Sequence, residues 1–373
     1  MNSTTSPRGA PLHPLRGTSP ATRLALLAAA TLTLSACISA PGYQGAPVAN
    51  FDGERFNNQI PVPDKGTFDY LKMRAQETRV PWPEWIDTKP GPAPPERVDE
   101  PGRVRVTVVN HATVLIQLDG LNILTDPVWS ERVGPLSWAG PRRVRPAGID
   151  FDALPPIDVV LISHNHYDHL DLPTLERLYA TDAPPRLYAG RGTRELLVEH
   201  GITPEGSDLL WWETLALPGD VRLTSVPGQH WSGRGLTDRR NTLWMGFVIE
   251  GSVGAVYFAG DTGWGPHFEQ IRDRFPDIHL ALLPIGAYRP EWFMSTSHIS
   301  PPQAVEAHVT LGARWSVPIH YGTFPLGIEG FEDPIQDLRA ALDAQRVPRS
   351  AFPVLAFGQG WTLPTPKRDA PRH

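Results

Sequence analysis

The stretch Ile157-Asp158-Val159-Val160-Leu161-Ile162-Ser163-His164-Asn165-His166-Tyr167-Asp168-His169-Leu170-Asp171 changes character halfway along. Its first part is a short apolar, β-branched run and reads as a buried strand. Its second part, SHNHYDHLD over 163–171, crowds histidines and aspartates directly behind that strand. Side chains of this kind at a strand end stand where the loops of a layered sheet converge, so the stretch points to a site as well as to a fold.

Working outward, the same arrangement recurs. Residues 103–109 and 113–118 alternate as strands, Asp119-Gly120 marks a tight turn, and 121–125 reads as the returning strand. Further strands are expected at 158–162, 186–189, 221–226, 243–249, 255–259, 279–283 and 314–319. Helices are expected at 68–76, 172–179, 193–200, 266–275, 302–310 and 334–344. Hairpins mixed with strand-helix alternation predict an α/β protein of two layered sheets flanked by helices. His230 then follows the strand ending at Val226, Asp261 follows 255–259, and His320 follows 316–319. Together with 158–162, four strands each deliver a ligand-type side chain at the same end.

His164, His166, Asp168, His169, His230, Asp261 and His320 are too many for one catalytic zinc, which takes three protein ligands and a water. Two metal ions fit better. His164 and His166, two apart, can turn to one ion, the Asp168-His169 pair can reach the other, and an aspartate such as Asp261 can bridge. Coordination lowers the pKa of water from about 15.7 to roughly 7, which makes hydrolysis of an ester, lactam or phosphodiester the natural chemistry. Structural zinc sites are usually closed and rich in cysteine, and Cys37 is the only cysteine, so a catalytic centre is favoured over a structural one.

These motifs resemble the metallo-β-lactamase superfamily and, more narrowly, the N-acylphosphatidylethanolamine-hydrolysing phospholipase D family. The resemblance runs over about residues 50 to 335. It rests on Asn110-His111-Ala112-Thr113-Val114, Leu124-Thr125-Asp126-Pro127, Gly140-Pro141-Arg142-Arg143, the 163–171 stretch, Trp211-Trp212-Glu213 and Gln229-His230-Trp231. It continues in Phe258-Ala259-Gly260-Asp261-Thr262-Gly263, Pro284-Ile285-Gly286-Ala287-Tyr288, Trp292-Phe293-Met294 and Ile319-His320. The resemblance implies an αβ/βα sandwich with two Zn²⁺ in the cleft. His164, His166 and His230 would hold one ion, Asp168, His169 and His320 the other, with Asp261 shared. It also implies cleavage of a phospholipid to phosphatidic acid and an N-acylethanolamine. A lactonase or other ester hydrolase of the superfamily is the competing enzyme class, and a metal- and lipid-binding envelope protein is the competing non-enzyme.

Beyond the ligands, Asp168 and His298 are the candidate catalytic residues; His298, in Ser297-His298-Ile299, can donate a proton to a leaving group or bind a phosphoryl oxygen. Asp126 can orient a ligating histidine through its second ring nitrogen. Tyr167 and Tyr288 are candidates for lining the substrate cleft.

The 373 residues divide into three expected regions. Residues 1–36 carry Arg16 and Arg23 ahead of an apolar stretch too short to span a bilayer, which suits a signal peptide. Leu34-Ser35-Ala36-Cys37 resembles a lipoprotein processing site, so lipidated Cys37 would tether the mature chain to a bacterial envelope, the outer membrane being expected by the same resemblance. Residues 37–100, rich in Pro and Gly, are expected to be tether and packing segment, and 101–365 the hydrolase domain. The aromatic cluster 81–85 is expected to pack on that domain. A formal charge of −6 argues against nucleic acid as a partner. A homodimer is left open.

Overall fold

The computed structural model describes residues 39–363. The expected signal peptide, Cys37 and the last two residues of the expected hydrolase domain lie outside the described residues. Among the described residues, thirteen strands form two sheets. The first has the order β13-β1-β2-β3-β4-β5-β6, built from β1 (Val104–Asn110), β2 (Thr113–Leu118), β3 (Leu121–Thr125), β4 (Val159–Leu161), β5 (Arg186–Gly190), β6 (Gly206–Leu209) and β13 (Gly360–Thr362). The second has the order β12-β11-β10-β9-β8-β7, built from β7 (Thr214–Ala216), β8 (Arg222–Val226), β9 (Gly246–Gly251), β10 (Gly254–Phe258), β11 (Ile278–Pro284) and β12 (Trp315–Ile319). Each sheet is mixed: hairpins are antiparallel, whereas β3-β4-β5-β6 and β10-β11-β12 run parallel.

The two-residue period of the strands sorts their side chains into layers. Val106, Val108, Val159, Leu161, Val256, Phe258, Leu280 and Leu282 face inward and fill the space between the sheets. The alternate residues Val160 and Ile162 meet an outer layer with α2 (Leu172–Tyr179) and α3 (Thr193–Glu199). Tyr257, Ala259, Ala281 and Leu283 likewise meet α4 (His267–Arg274), α6 (Pro301–Leu311) and α7 (Asp333–Ala344). The result is the four-layered αβ/βα sandwich. Helix α6 begins where Ser300 and Gln303 form a capping box, and ends at Gly312, whose φ of 63° only glycine adopts freely.

Three expectations need adjustment. β6, β7 and β13 have no alternating apolar signature; they are short edge strands, held by main-chain pairing and by one apolar side chain each, Leu209, Leu215 and Trp361, against the inter-sheet core. The expected strand 243–249 begins only at Gly246, because Leu243 and Met245 spend their N–H groups on Arg191 and Ser163 of the opposite sheet's loops. Residues 39–100 are largely irregular, but they are more than a tether. Phe51 and Phe56 are fully buried and pack with Tyr43 against the inter-sheet core. Farther on, Trp82 donates to the carbonyl of Glu329 and stacks edge-on against Phe331, as expected of the aromatic cluster. Helix α1 (Thr67–Gln76) is the regular element of this segment.

Candidate metal centre

Six strands end at one site. β1, β3, β4, β8, β10 and β12 are followed by His111, Asp126, the 163–169 turn, His230, Asp261 and His320. Close approach there is achieved with small residues. A Cβ on Gly260 would lie 2.5 Å from that of Ser163, and one on Gly286 would lie 2.0 Å from the His320 carbonyl oxygen. His111, Asp126 and His320 have φ of 41°, 33° and 61°. Three non-glycine residues in the left-handed region at one spot mark backbone held against its own preference, as at functional sites. The amide of His320 is secured by donating to the His111 carbonyl at 2.7 Å.

The side chains form two donor groups that share a carboxylate. In the first, His164 Nε2 lies 2.8 Å from His166 Nδ1, and His230 Nε2 lies 3.3 Å from that same Nδ1. In the second, Asp168 Oδ2 lies 3.4 Å from both His169 Nε2 and His320 Nε2, and 3.0 Å from His111 Nε2. Asp261 Oδ2 stands between them, at 3.2 Å from His169 Nε2, 3.0 Å from His320 Nε2, 3.8 Å from His230 Nε2 and 4.0 Å from His164 Nε2. All seven expected ligands are therefore brought together.

Oxygen atoms behind the histidines fix which nitrogen faces inward. Asp126 Oδ2 lies 2.6 Å from His169 Nδ1 and also accepts from the Ser163 hydroxyl, while its Oδ1 accepts from the Ser163 amide at 2.7 Å. The Ser297 carbonyl takes His230 Nδ1 at 2.8 Å, and Ser163 Oγ lies 2.9 Å from His164 Nδ1. Each inner nitrogen is thereby left with a lone pair for an ion, the usual way outer hydrogen bonds orient ligating imidazoles.

Electrostatics favours a cation here. Burial opposes charge on His169, yet Asp261, Asp168 and Asp126 overcome it and hold the ring well above its usual pKa; His320 is pushed up to about 9 against burial by Asp261 and Asp168. Burial would likewise raise Asp168 and Asp261, but His169 and its neighbours hold both well below the usual carboxylate range. His164 and His230 are pushed well below the ordinary value by burial, and His166 to about 3 by the same cause. Burial also lifts Asp126, against the pull of His169 and Ser163. A buried carboxylate pair that recruits protons onto two of its histidines is a place where divalent cations can replace those protons. His169 Nε2, His320 Nε2 and Asp261 Oδ1 are buried with no hydrogen-bond partner, as ligand atoms would be. The residues present fit a pair of metal ions.

The other expected residues separate. His298 Nδ1 lies 3.8 Å from Asp261 Oδ2 and has no hydrogen-bond partner, and the ring, pushed down to about 4 by burial, borders two cavities. Tyr167 lines the larger of these, with its hydroxyl on the Arg234 carbonyl at 3.1 Å. Tyr288 does not line the cleft: its hydroxyl is turned onto Asp337 of α7 at 2.5 Å, and Ala287 faces the cavity instead.

Several site residues escaped sequence reasoning. His111 belongs to the second donor group, yet no spacing to other ligands singled it out. Arg234 lies on the Tyr167 ring, 3.9 Å from its centroid, and donates to the carbonyls of Asn165 and Leu170, which staples the ligand turn. Asn58, from the irregular segment, accepts from the amide of His230 at 3.1 Å and donates to its carbonyl at 2.7 Å. An asparagine in a stretch without periodicity gives no signal of such a task.

Two histidine-aspartate donor groups sharing a carboxylate, at the strand ends of an αβ/βα sandwich, define a metal-dependent hydrolase with a metallo-β-lactamase fold. The chain belongs to the β-lactamase superfamily: residues 121–321 match the β-lactamase superfamily domain. It is 36% identical over 265 residues to the N-acyl-phosphatidylethanolamine-hydrolyzing phospholipase D 1 of Caenorhabditis elegans, covering 68% of this chain and 74% of that one. The mitochondrial N-acyl-phosphatidylethanolamine-hydrolyzing phospholipase D of Saccharomyces cerevisiae is also 36% identical, over 59% of this chain and 48% of its own length. Among solved structures, a metallo hydrolase from Ignicoccus hospitalis shares the fold at a TM-score of 0.52 and 23% identity, over 70% of this chain and 99% of that one.

Proposed function

We propose that the protein is a zinc-dependent phosphodiesterase of phospholipase D type, acting on N-acylphosphatidylethanolamine or a related glycerophospholipid to release the headgroup alcohol and leave phosphatidic acid. The observation that carries this reading is the pair of donor groups bridged by Asp261, found in a chain 36% identical to relatives named for that hydrolysis. His164, His166 and His230 would hold one ion, Asp168, His169 and His320 the other. When bound, two zinc ions supply a nucleophile at neutral pH and neutralise charge developing on phosphoryl oxygens. The chain's own residues do the rest. Asp126, Ser163 and Ser297 hold the imidazoles in one orientation. His298, at the junction of the two cavities and neutral in its buried place, donates a hydrogen bond to an oxygen of the diester.

The surroundings suit a lipid surface. Phe68 and Leu71 of helix α1 are 79% and 59% exposed, and Tyr70 beside them reaches the rim of the larger cavity. Trp292 is half-exposed, with the Lys72 ammonium 5.5 Å from its ring. Exposed apolar groups gathered at a cleft mouth, with a cation among them, serve docking onto a bilayer. A lipidated Cys37 in a bacterial outer membrane would hold the cleft beside its substrate.

The test is lipid-product mass spectrometry on zinc-loaded mature protein, offered N-acylphosphatidylethanolamine beside ordinary phosphatidylethanolamine, with an Asp168→Asn, His169→Ala control. Phosphatidic acid that vanishes in the control is the expected result. Both lipids left intact while a lactone is opened would replace this reading with the ester hydrolase one.

A further inference from the structure

His111 is buried within the second donor group, yet neither ion needs it. His164, His166 and His230 serve one, Asp168, His169 and His320 the other, and Asp261 stands between them. Its ring must therefore be read from what it touches.

His111 Nε2 lies 3.0 Å from Asp168 Oδ2. His169 and His320 each meet both Asp168 and the shared Asp261, whereas among the described carboxylates His111 meets Asp168 alone. It stands at the edge of the donor set rather than between its two carboxylates. An ionised carboxylate only accepts, so Nε2 is the nitrogen that carries the proton of this contact. Nδ1, across the ring, is buried without a partner. A buried imidazole with one nitrogen stranded is costly as mere filling.

Asp168 is the ligand with most need of support. Its side chain is 13% exposed, against 2% for Asp261, and it lines the larger cavity. The other ligands are held from behind, His169 by Asp126, His164 by Ser163 and His230 by the Ser297 carbonyl. The contacts of the Asp168 carboxylate are His111, His169 and His320, of which only His111 is not a ligand.

His111 is itself clamped to the other sheet's contribution. Its amide donates to Thr323 Oγ1 at 3.0 Å, its carbonyl accepts from the amide of His320, and its ring centroid lies 4.0 Å from that of His320. One residue thus joins a ligand from the turn after β4 to a ligand from the end of β12.

We propose that His111 is a positioning residue for the second ion and not one of its ligands: its Nε2–H donates to Asp168 Oδ2, keeps that carboxylate from turning out into the cavity, and couples it to His320 across the two sheets. The assignment rests on the metal-pair part of the reading above and not on the phospholipid substrate.

Two measurements test it. In the protein loaded with ¹¹³Cd²⁺, nuclear magnetic resonance should show cadmium coupling to the ring protons of His164, His166 and His230 from one ion and of His169 and His320 from the other. The His111 ring should show no coupling and a proton on Nε2; cadmium coupling at His111 overturns the proposal. Zinc affinities are then measured by competition with a chromophoric chelator. His111→Phe keeps a ring and loses the donor, and should weaken the ion held by His169 and His320 about 10- to 100-fold while leaving the other within about threefold. His111→Gln, whose side-chain amide carries an N–H at a similar reach, should recover most of that loss. Equal weakening of both ions in His111→Phe, no weakening of either, or no recovery in His111→Gln overturns the proposal. Should His111→Phe fail to fold, the cadmium couplings of the unaltered protein decide alone. A chain that takes up fewer than two ions removes the metal pair and this assignment with it. A chain that passes both tests and hydrolyses no phospholipid upholds the assignment and removes only the phosphodiester reading.

Discussion

The turn at 163–169 and the strap at 57–65 both border the metal centre, but they are held in different ways. The turn stands on the ends of β3 and β4, and its supports are fully buried: Asp126, Ser163 and His169 form a closed set of hydrogen bonds within the protein interior. The strap is tied down by amide contacts and by ion pairs such as Asp64 with Arg239 and Arg240, in which the carboxylate is about half-exposed. Buried polar sets are costly to break because the groups left behind have no water to turn to, while exposed pairs contribute little. The metal donors are thus placed where change is expensive, and the strap beside them where it is cheap.

The largest effect is expected at the turn. Asp126→Ala strands the Ser163 amide, its hydroxyl and His169 Nδ1 in the interior, which should cost about 3 kcal/mol or more of stability. Affinity for at least one ion should fall roughly 10- to 100-fold, as when an outer partner of a ligating histidine is lost. Thermal unfolding and chelator competition measure the two effects, and a variant with wild-type melting would break the comparison.

Acid should separate the regions next. His267, buried behind the Asp261 loop with Nε2 3.2 Å from Thr262 Oγ1, is pushed down to about 3 by burial. A depressed histidine pKa gives stability that is present above the unfolded value of 6.5 and lost as pH falls toward 3. On the N-terminal segment, hydrogen bonds from Asn57, Arg55 and Glu54 lower Asp52 to about 2, so its contribution is present above 3.8 and lost only below that. Melting temperature followed against pH should therefore begin to fall near pH 6.5, and His267→Gln should flatten the fall between pH 6.5 and about 3 while leaving the fall below pH 3 unchanged.

Asn58→Ala should have an intermediate effect. It deprives the His230 backbone of an acceptor and a donor and the Trp244 indole of one acceptor, at about 1 to 2 kcal/mol, with metal affinity weakened less than in Asp126→Ala. The smallest effect is expected for Asp64→Asn, below about 1 kcal/mol, because its partners are exposed ion pairs. A strap substitution that unfolds the protein as readily as Asp126→Ala would erase the distinction between the two regions.

The same contrast explains what the amino-acid sequence disclosed. The turn was legible because strand-forming alternation and ligand chemistry coincide there, and because His230, Asp261 and His320 repeat the pattern of a polar group behind an apolar strand. Asp126 was legible for the same reason. His111 was not, since it sits in a hairpin turn where a polar residue is ordinary, and only the approach of the turn after β4 gives it Asp168 as a partner, as that of β12 gives it His320. Asn58, Lys65 and Arg234 were hidden for a further reason: each acts through main-chain atoms of residues distant in sequence, and main-chain acceptors leave no mark in side-chain patterns. Tyr288, placed by its neighbourhood among cleft residues, was drawn away by Asp337 on a helix whose position the local sequence does not encode.

Attack of water on phosphorus, as proposed above, is read out by letting the zinc-loaded enzyme act on N-acylphosphatidylethanolamine in ¹⁸O-enriched water and weighing the products. The label is expected in phosphatidic acid, with none in the released N-acylethanolamine. Label appearing in a fatty acid, or in the alcohol, would contradict it.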